Sequence, residues 1–185
     1  MLSGLSKPLR YAVFISGTGS TLQSLLEMQH QWNIGLVISN QSQALGLTKA
    51  KRFGIETVVI KNPIDYAKLN DLLQDYRIDR IVLAGFMKLI PASFVNFWKG
   101  RMMNIHPSLL PQYPGLDAAH LSWQNKSDMG VTIHHVTAEM DEGRPVLQQV
   151  SLKKPYAIES GFEFPELYLR QCEQNLMREL AIRWT

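Results

Sequence analysis

Residues 11–21, YAVFISGTGST, join an uninterrupted apolar run to a loop with two glycines and then to a helical pattern. A short apolar run bounded by turn residues predicts a buried strand over 11–15. The two glycines allow a tight turn, and Leu22, Leu25 and Leu26 then repeat on one face of a helix. A strand, a glycine turn and a helix in this order are typical of the first unit of a parallel α/β sheet.

The same alternation continues along the chain and predicts the fold class. It indicates an α/β protein with a Rossmann-like open sheet, mostly parallel, with helices on both faces. Antiparallel strands are expected near the C-terminal end, because two alternating strands follow each other closely there. No linker or repeat divides the sequence, so residues 1–185 are expected to form a single domain. The predicted strands are 11–15, 36–39, 57–60, 80–84, 101–105, 130–136 and 146–152. Besides the helix that carries Leu22, Leu25 and Leu26, the predicted helices are about 43–53, 66–76 and 166–183, with a short one that carries Leu116, Ala119, His120 and Trp123.

Composition excludes several classes of function. Apolar residues make up 45% and charged residues 19% of the 185 residues, which is typical of a globular protein. A net charge of +3 gives no basic stripe for nucleic acid. The single cysteine, Cys172, excludes an internal disulfide and a cysteine-rich metal site, and the histidines lack the usual metal spacing.

The longest apolar runs are too short to cross a membrane, and no hydrophobic signal region precedes the first strand. We therefore expect a cytoplasmic protein that acts on small molecules, with no nucleic-acid, membrane or metal partner. The sequence leaves the choice between monomer and homodimer open.

The glycine loop, residues 16–21, is a candidate anion site. The first turn of a helix presents free N–H groups, and these suit a phosphate. The dinucleotide pattern G-x-G-x-x-G fails because its third position is Leu22, so one phosphate fits better than NAD. In the alternative interpretation Ser20 only caps the helix, with Gln23 completing a capping box.

Asn104 and His106 are the candidate catalytic pair. On a strand, residues two apart lie on the same side, and an amide donor beside an imidazole suits chemistry at a carbonyl group. His106 could instead make only a structural hydrogen bond. Asp141 lies in a polar loop between the last two strands, and it could orient His106 or simply form a turn. At most one of His134 and His135 can reach this site, and we expect both to serve in packing or in a supporting role.

Four motifs, taken together, resemble the formyltransferase family that uses 10-formyltetrahydrofolate. They are SGTGS (16–20), LAGFMKLI (83–90), MNIHPSLLPQYPG (103–115) and VTAEMDEG (136–143). The resemblance is strongest to the ribonucleotide branch, so it implies formyl transfer to the amine of glycinamide ribonucleotide in purine biosynthesis, by direct attack on the folate's formyl carbon. It implies that Asn104 and protonated His106 stabilise the oxyanion, that Asp141 assists proton transfer, and that no metal is needed.

The resemblance also implies binding residues and a cis bond at Leu110–Pro111. The residues implied for the substrate phosphate are Gly19, Ser20 and Thr21. Those implied elsewhere on the substrate are Pro107, Gln171 and Gln174. Those implied for the co-substrate 10-formyltetrahydrofolate are Met87, Lys88, Leu89, Ile90, Val95, Glu139 and Met140.

Some positions depart from the family pattern. Thr21 stands where asparagine is usual, Asp117 where histidine is usual, and Gln174 where glutamate is expected. These differences leave open transfer to another phosphorylated or sugar amine, or hydrolysis of formyltetrahydrofolate. A folate-binding regulatory module is the alternative outside enzymes.

Overall fold

A computed structural model describes residues 8–154 and 165–184 and contains a seven-stranded sheet flanked by helices on both faces. The strand order is β3-β2-β1-β4-β5-β6-β7. The first five strands in the chain pair in parallel, while β6 is antiparallel to β5 and β7 is antiparallel to β6. The predicted mostly parallel sheet with antiparallel strands near its C-terminal end is confirmed. The elements, in chain order, are β1 Tyr11–Ile15, α1 Ser20–Glu27, β2 Ile34–Ser39, α2 Leu45–Arg52, β3 Thr57–Val59, α3 Tyr66–Asp75, β4 Arg80–Leu83, α4 Ala92–Phe97, β5 Met102–His106, α5 Ala118–Gln124, β6 Met129–His135, β7 Pro145–Leu152 and α6 Glu166–Arg183.

Two apolar layers hold the helices against the sheet. Val13 and Ile15 of β1 face the layer that contains α1, α2 and α6. Their neighbours Ala12 and Phe14 face the opposite layer, with α3 and α4. Successive strand residues point to opposite faces, so an all-apolar strand such as β1 must be covered on both sides, as it is here.

The topology reverses between β1 and β4. From β1 the chain moves outward through β2 to β3, and it then returns to β4 on the other side of β1. In open α/β sheets the loops that follow two such strands enclose a crevice at their carboxyl ends, where ligands bind. The loop after β1 is the glycine loop, and the loop after β4 carries residues 87–90. The fold therefore brings two of the sequence motifs to one crevice.

One helix was not predicted from the sequence. Helix α4 has six residues and starts after Pro91, so it is too short to show a full helical stripe. Its Phe94 and Val95 are buried under the sheet. Among residues 8–154 and 165–184, no helix is both long enough and apolar enough to span a membrane.

Candidate active site

The glycine loop begins α1 in an unusual way. Gly19 is the N-cap residue and has left-handed backbone angles, φ 66° and ψ 44°, and no side chain caps the helix. Helix α1 therefore begins at Ser20, and the alternative in which Ser20 caps it is wrong. The first backbone N–H groups of α1 therefore have neither an intrahelical acceptor nor a side-chain cap.

Helix α2 packs directly on this loop through two glycines. A Cβ atom on Gly19 would lie 2.7 Å from the Cα of Gly46, and a Cβ atom on Gly46 would meet the end of the Ile15 side chain and lie 3.3 Å from the Cα of Gly19. The Gly46 N–H donates to the Gly17 carbonyl at 3.2 Å. The Lys49 ammonium donates to the Gly19 carbonyl, also at 3.2 Å. Helix α2 thus fixes the backbone of the glycine loop and places the Lys49 ammonium next to it.

Helix α6 reaches the same loop through Glu173. The Thr21 hydroxyl donates to Glu173 Oε2 at 2.8 Å. Burial raises the pKa of Glu173, against the opposing effects of this hydrogen bond and of Arg170. Sequence reasoning missed Glu173 and named Gln171 and Gln174, of which Gln171 is exposed and bonds to Asn175 one turn on. The available signal was spacing, since Glu173 lies four residues after a buried leucine of α6.

Asn104 and His106 of β5 meet at one carboxylate. The Asn104 amide nitrogen donates to Asp141 Oδ1 at 3.2 Å, and His106 Nδ1 lies 3.4 Å from Asp141 Oδ2. Their shared side of the strand, predicted from alternation, is confirmed. The contact with Asp141, which sequence distance left open, is also present, because the 137–141 turn folds back over β5.

Both ring nitrogens of His106 face oxygen acceptors. Nε2 lies 2.8 Å from the Tyr113 carbonyl, opposite the Asp141 carboxylate at Nδ1. The imidazolium form is the one that can donate at both nitrogens. The ring is also buried, with its side chain 5% exposed, so its orientation is fixed before any ligand binds.

A hydrogen-bonded network places the Tyr113 carbonyl. The Ser108 hydroxyl donates to the carbonyl oxygens of Gln112 and Tyr113, and Thr132 of β6 donates to the Ser108 carbonyl at 2.7 Å. The predicted cis bond at Leu110–Pro111 is confirmed. The 107–115 loop is therefore tied to β6 at a buried point beside the histidine.

His134 is a further member of the cluster. It stands opposite Asn104 in the antiparallel register of β5 and β6. Its Nε2 lies 3.1 Å from the Asn104 amide nitrogen and 3.4 Å from Asp141 Oδ1, while Nδ1 faces the His135 carbonyl at 3.0 Å. His134 Nε2 therefore lies within reach of both Asn104 and Asp141, and this one atom can hydrogen-bond to only one of them at a time.

The environment keeps Asp141 ionised. Burial opposes the charge, but the hydrogen bonds from His134 and from the Gly115 N–H and the positive charge of His106 outweigh it, and they hold the pKa of Asp141 at about 2. The Gly115 N–H donates to Oδ2 at 2.8 Å. An ionised carboxylate at this position stabilises a cationic imidazole and can order a water molecule.

A cleft of about 460 Å³ opens above these residues. Its walls bring together most of the residues predicted for folate and for catalysis. Val95 is an exception, because it lies on the buried face of α4 and does not line the cleft. The predicted residues that line the cleft are Met87, Lys88, Leu89, Ile90, Asn104, His106, Pro107, Glu139, Met140 and Asp141.

The sequence pattern of the formyl transferase family matches residues 9–155, well over half of the chain. The chain belongs to the formyl transferase family. Phosphoribosylglycinamide formyltransferase of Haemophilus influenzae is 36% identical over 186 residues, which cover 95% of this chain and 86% of that protein.

Two further proteins are similar to this chain over most of its length. The human trifunctional purine biosynthetic protein adenosine-3 is 42% identical over 154 residues, 77% of this chain, but the match covers only 15% of that longer protein. The crystal structure of glycinamide ribonucleotide transformylase 1 from Symbiobacterium toebii superposes with a TM-score of 0.84 at 31% identity, covering 97% of this chain and 88% of its own.

Within the described part of this formyl transferase, residues 8–154 and 165–184, no three histidine, cysteine or acidic side chains are grouped as metal ligands. The Asp141 carboxylate instead contacts His106 and His134.

Proposed function

We propose that this chain transfers the formyl group of 10-formyltetrahydrofolate to the amine of glycinamide ribonucleotide. The observation that carries the proposal is the meeting of Asn104 and His106 around one ionised carboxylate inside a cleft. These groups suit a reaction at a carbonyl carbon. The names of the relatives support this ribonucleotide as the acceptor.

The folate is assigned to the cleft that residues 87–90 and 137–141 line. A volume of about 460 Å³ suits a small-molecule ligand. Apolar side chains stand at its rim, with Met87, Leu89, Leu116 and Met140 all more than half exposed. Such side chains would cover the flat rings of a folate, while backbone groups recognise its polar edge.

The acceptor's phosphate is assigned to the glycine loop. The first turn of α1 provides N–H donors and a partial positive charge, and the Lys49 ammonium adds a full charge at the Gly19 carbonyl. The Thr21 hydroxyl is occupied by Glu173, so Thr21 would bind the phosphate through its backbone. Loss of the asparagine side chain usual in the family is therefore compatible with phosphate binding.

In the reaction, the amine nitrogen attacks the formyl carbon and the carbonyl electrons move to oxygen. Asn104 and the Nδ1–H group of the His106 imidazolium would stabilise this oxyanion, because Nε2 is held by the Tyr113 carbonyl while Nδ1 has only the 3.4 Å ion-pair contact with Asp141. Asn104 donates one amide hydrogen to Asp141 and would give the other to the oxyanion. As the intermediate collapses, the bond to the folate nitrogen breaks, and the proton lost by the amine reaches that nitrogen through a water held at Asp141. Two bound substrates in this geometry supply much of the rate by proximity.

The direct test follows tetrahydrofolate formation by absorbance, with glycinamide ribonucleotide present or absent. We expect product only when the acceptor is present, and a loss of about 10²-fold or more in kcat for His106→Ala. His30→Ala, at an exposed histidine outside the cleft, is the matched control. Folate consumption without formylation of the acceptor would contradict the transfer, and full activity of His106→Ala would contradict the assigned chemistry.

A further inference from the structure

The hydrogen-bond ladder between β1 and β4 does not end where the strands end. The Ala84 N–H donates to the Phe14 carbonyl at 2.9 Å, and the Ser16 N–H donates to the Gly85 carbonyl at 3.0 Å. The next donor is the N–H of Met87, and its acceptor is the hydroxyl oxygen of Ser16, at 2.8 Å. A side chain thus replaces the backbone carbonyl in the last rung of the ladder.

The backbone at Gly85 explains this substitution. Gly85 has φ +77°, which turns the chain away from β1 after one residue. The following N–H group that faces β1 therefore comes from Met87 and meets the Ser16 side chain. Only a short side chain with an acceptor oxygen can take that place without moving the loop.

The same hydroxyl also holds the end of β2. It donates its hydrogen to Asn40 Oδ1 at 2.6 Å, and Asn40 is buried, with 7% of its surface exposed. Because the oxygen accepts from Met87, the donor and acceptor roles are consistent. Ser16 therefore joins the loops that follow three neighbouring strands, β2, β1 and β4.

These loops carry the two ligand sites of the proposed function. Residues 17–21 on one side of Ser16 form the phosphate site, and residues 87–90 on the other line the folate cleft. We propose that Ser16 is a positioning residue that couples the binding of the acceptor's phosphate to the binding of folate. This inference rests on the proposed function and assigns to it a residue outside the catalytic cluster.

The coupling has a physical route. A phosphate bound at the first turn of α1 would restrict the glycine loop and with it the Ser16 hydroxyl. A fixed hydroxyl holds the Met87 N–H, so less backbone entropy is lost when folate binds against residues 87–90. The effect is reciprocal, because the coupling free energy is the same in both directions.

The test measures the coupling itself. Calorimetry gives the Kd of tetrahydrofolate with and without saturating glycinamide ribonucleotide, a pair that cannot react. In the native protein we expect each ligand to lower the Kd of the other about fivefold, which is the low end of typical couplings. In Ser16→Ala, and in the nearly isosteric Ser16→Cys with its weak hydrogen bonding, we expect the two Kd values to agree within about twofold.

The matched control is Ser39→Ala. This serine is also at a strand end and fully buried, but its hydroxyl bonds to the Gln41 backbone two residues on. It should leave the coupling intact. Coupling that is absent from the native protein, that survives in both Ser16 variants, or that is lost equally in Ser39→Ala would overturn the inference.

Failure of the native protein to bind or formylate glycinamide ribonucleotide contradicts the proposed function instead. Inorganic phosphate then replaces the ribonucleotide as the probe in the same calorimetric comparison. The same three outcomes decide whether Ser16 couples the loops.

Discussion

Replacing Asp141 with asparagine removes one charge and almost no volume from the centre of the site. The carboxylate accepts hydrogen bonds from Gly115 and Asn104 and lies 3.4 Å from both His106 and His134. An amide oxygen can still accept from Gly115 and face His106, but the amide NH2 group then faces His134 and the Asn104 donor. We therefore expect losses of stability and of catalysis together.

The magnitude follows from the perturbed acid. Holding the pKa of Asp141 at about 2 instead of 3.8 corresponds to about 2 kcal/mol, since one pKa unit is worth about 1.4 kcal/mol. The side chain is only 10% exposed, so solvent screening is limited. The folded-state pKa is the lower one, so this contribution is complete above pH 3.8 and is lost as the pH falls toward about 2.

Urea denaturation of the native protein and of Asp141→Asn over a pH series tests this. The difference in unfolding free energy should be about 2 kcal/mol near pH 6 and should shrink to about 1 kcal/mol near pH 3. Glu142→Gln, which removes an exposed charge from the same loop, is the control and should change little. A difference that stays constant with pH, or an equal loss in the control, would refute the electrostatic argument. In steady-state assays kcat should fall about 10²-fold or more.

Three other changes have defined outcomes. Asn104→Ala removes an oxyanion donor, so kcat should fall about 10²–10³-fold in steady-state assays, and an unchanged kcat would exclude that role. Gly143→Ala would place its Cβ 1.6 Å from the His135 carbonyl oxygen. It should lower the unfolding free energy by about 1–3 kcal/mol in urea denaturation, whereas Gly17→Ala, with no atom within 4 Å of its Cβ, should cost less; equal losses would disprove the clash. Lys49→Met should weaken glycinamide ribonucleotide binding in calorimetry, most strongly at low salt, and the same weakening in the exposed Lys51→Met would show only a general charge effect.

The fold could be predicted because the apolar residues within most strands and helices repeat with the period of that element. The bounds of β1 and α6 agree with those predicted, and most other strand ends differ by one or two residues. Strand ends depend on the partner strand's last hydrogen bonds, which a single segment does not encode. Helix α4 could not be predicted, because its six residues complete fewer than two helical turns and so show no repeating apolar pattern.

In the candidate site, too, local features could be predicted from the sequence and long-range contacts could not. The shared side of Asn104 and His106 depends only on strand alternation, so the sequence predicted it. The contact of Asn104 with His134 depends on the register of β5 against β6, and the contact with Asp141 depends on the return of the 137–141 turn. Those are long-range facts that no local pattern contains. Glu173 was missed for a related reason, since its importance comes from the approach of α6 to Thr21.

The contact of Gly19 with Gly46 restricts how this protein can change. A methyl group on Gly19 would push α2 off the glycine loop, and one on Gly46 would meet the Ile15 side chain, so a substitution at one glycine cannot be relieved by a second at the other. Random mutagenesis that seeks new acceptors should therefore leave both glycines fixed. Diversity belongs at the exposed Thr18 and at the exposed Leu116 on the cleft wall, because Asp117 beside it has a left-handed backbone, φ 57°, that few side chains tolerate.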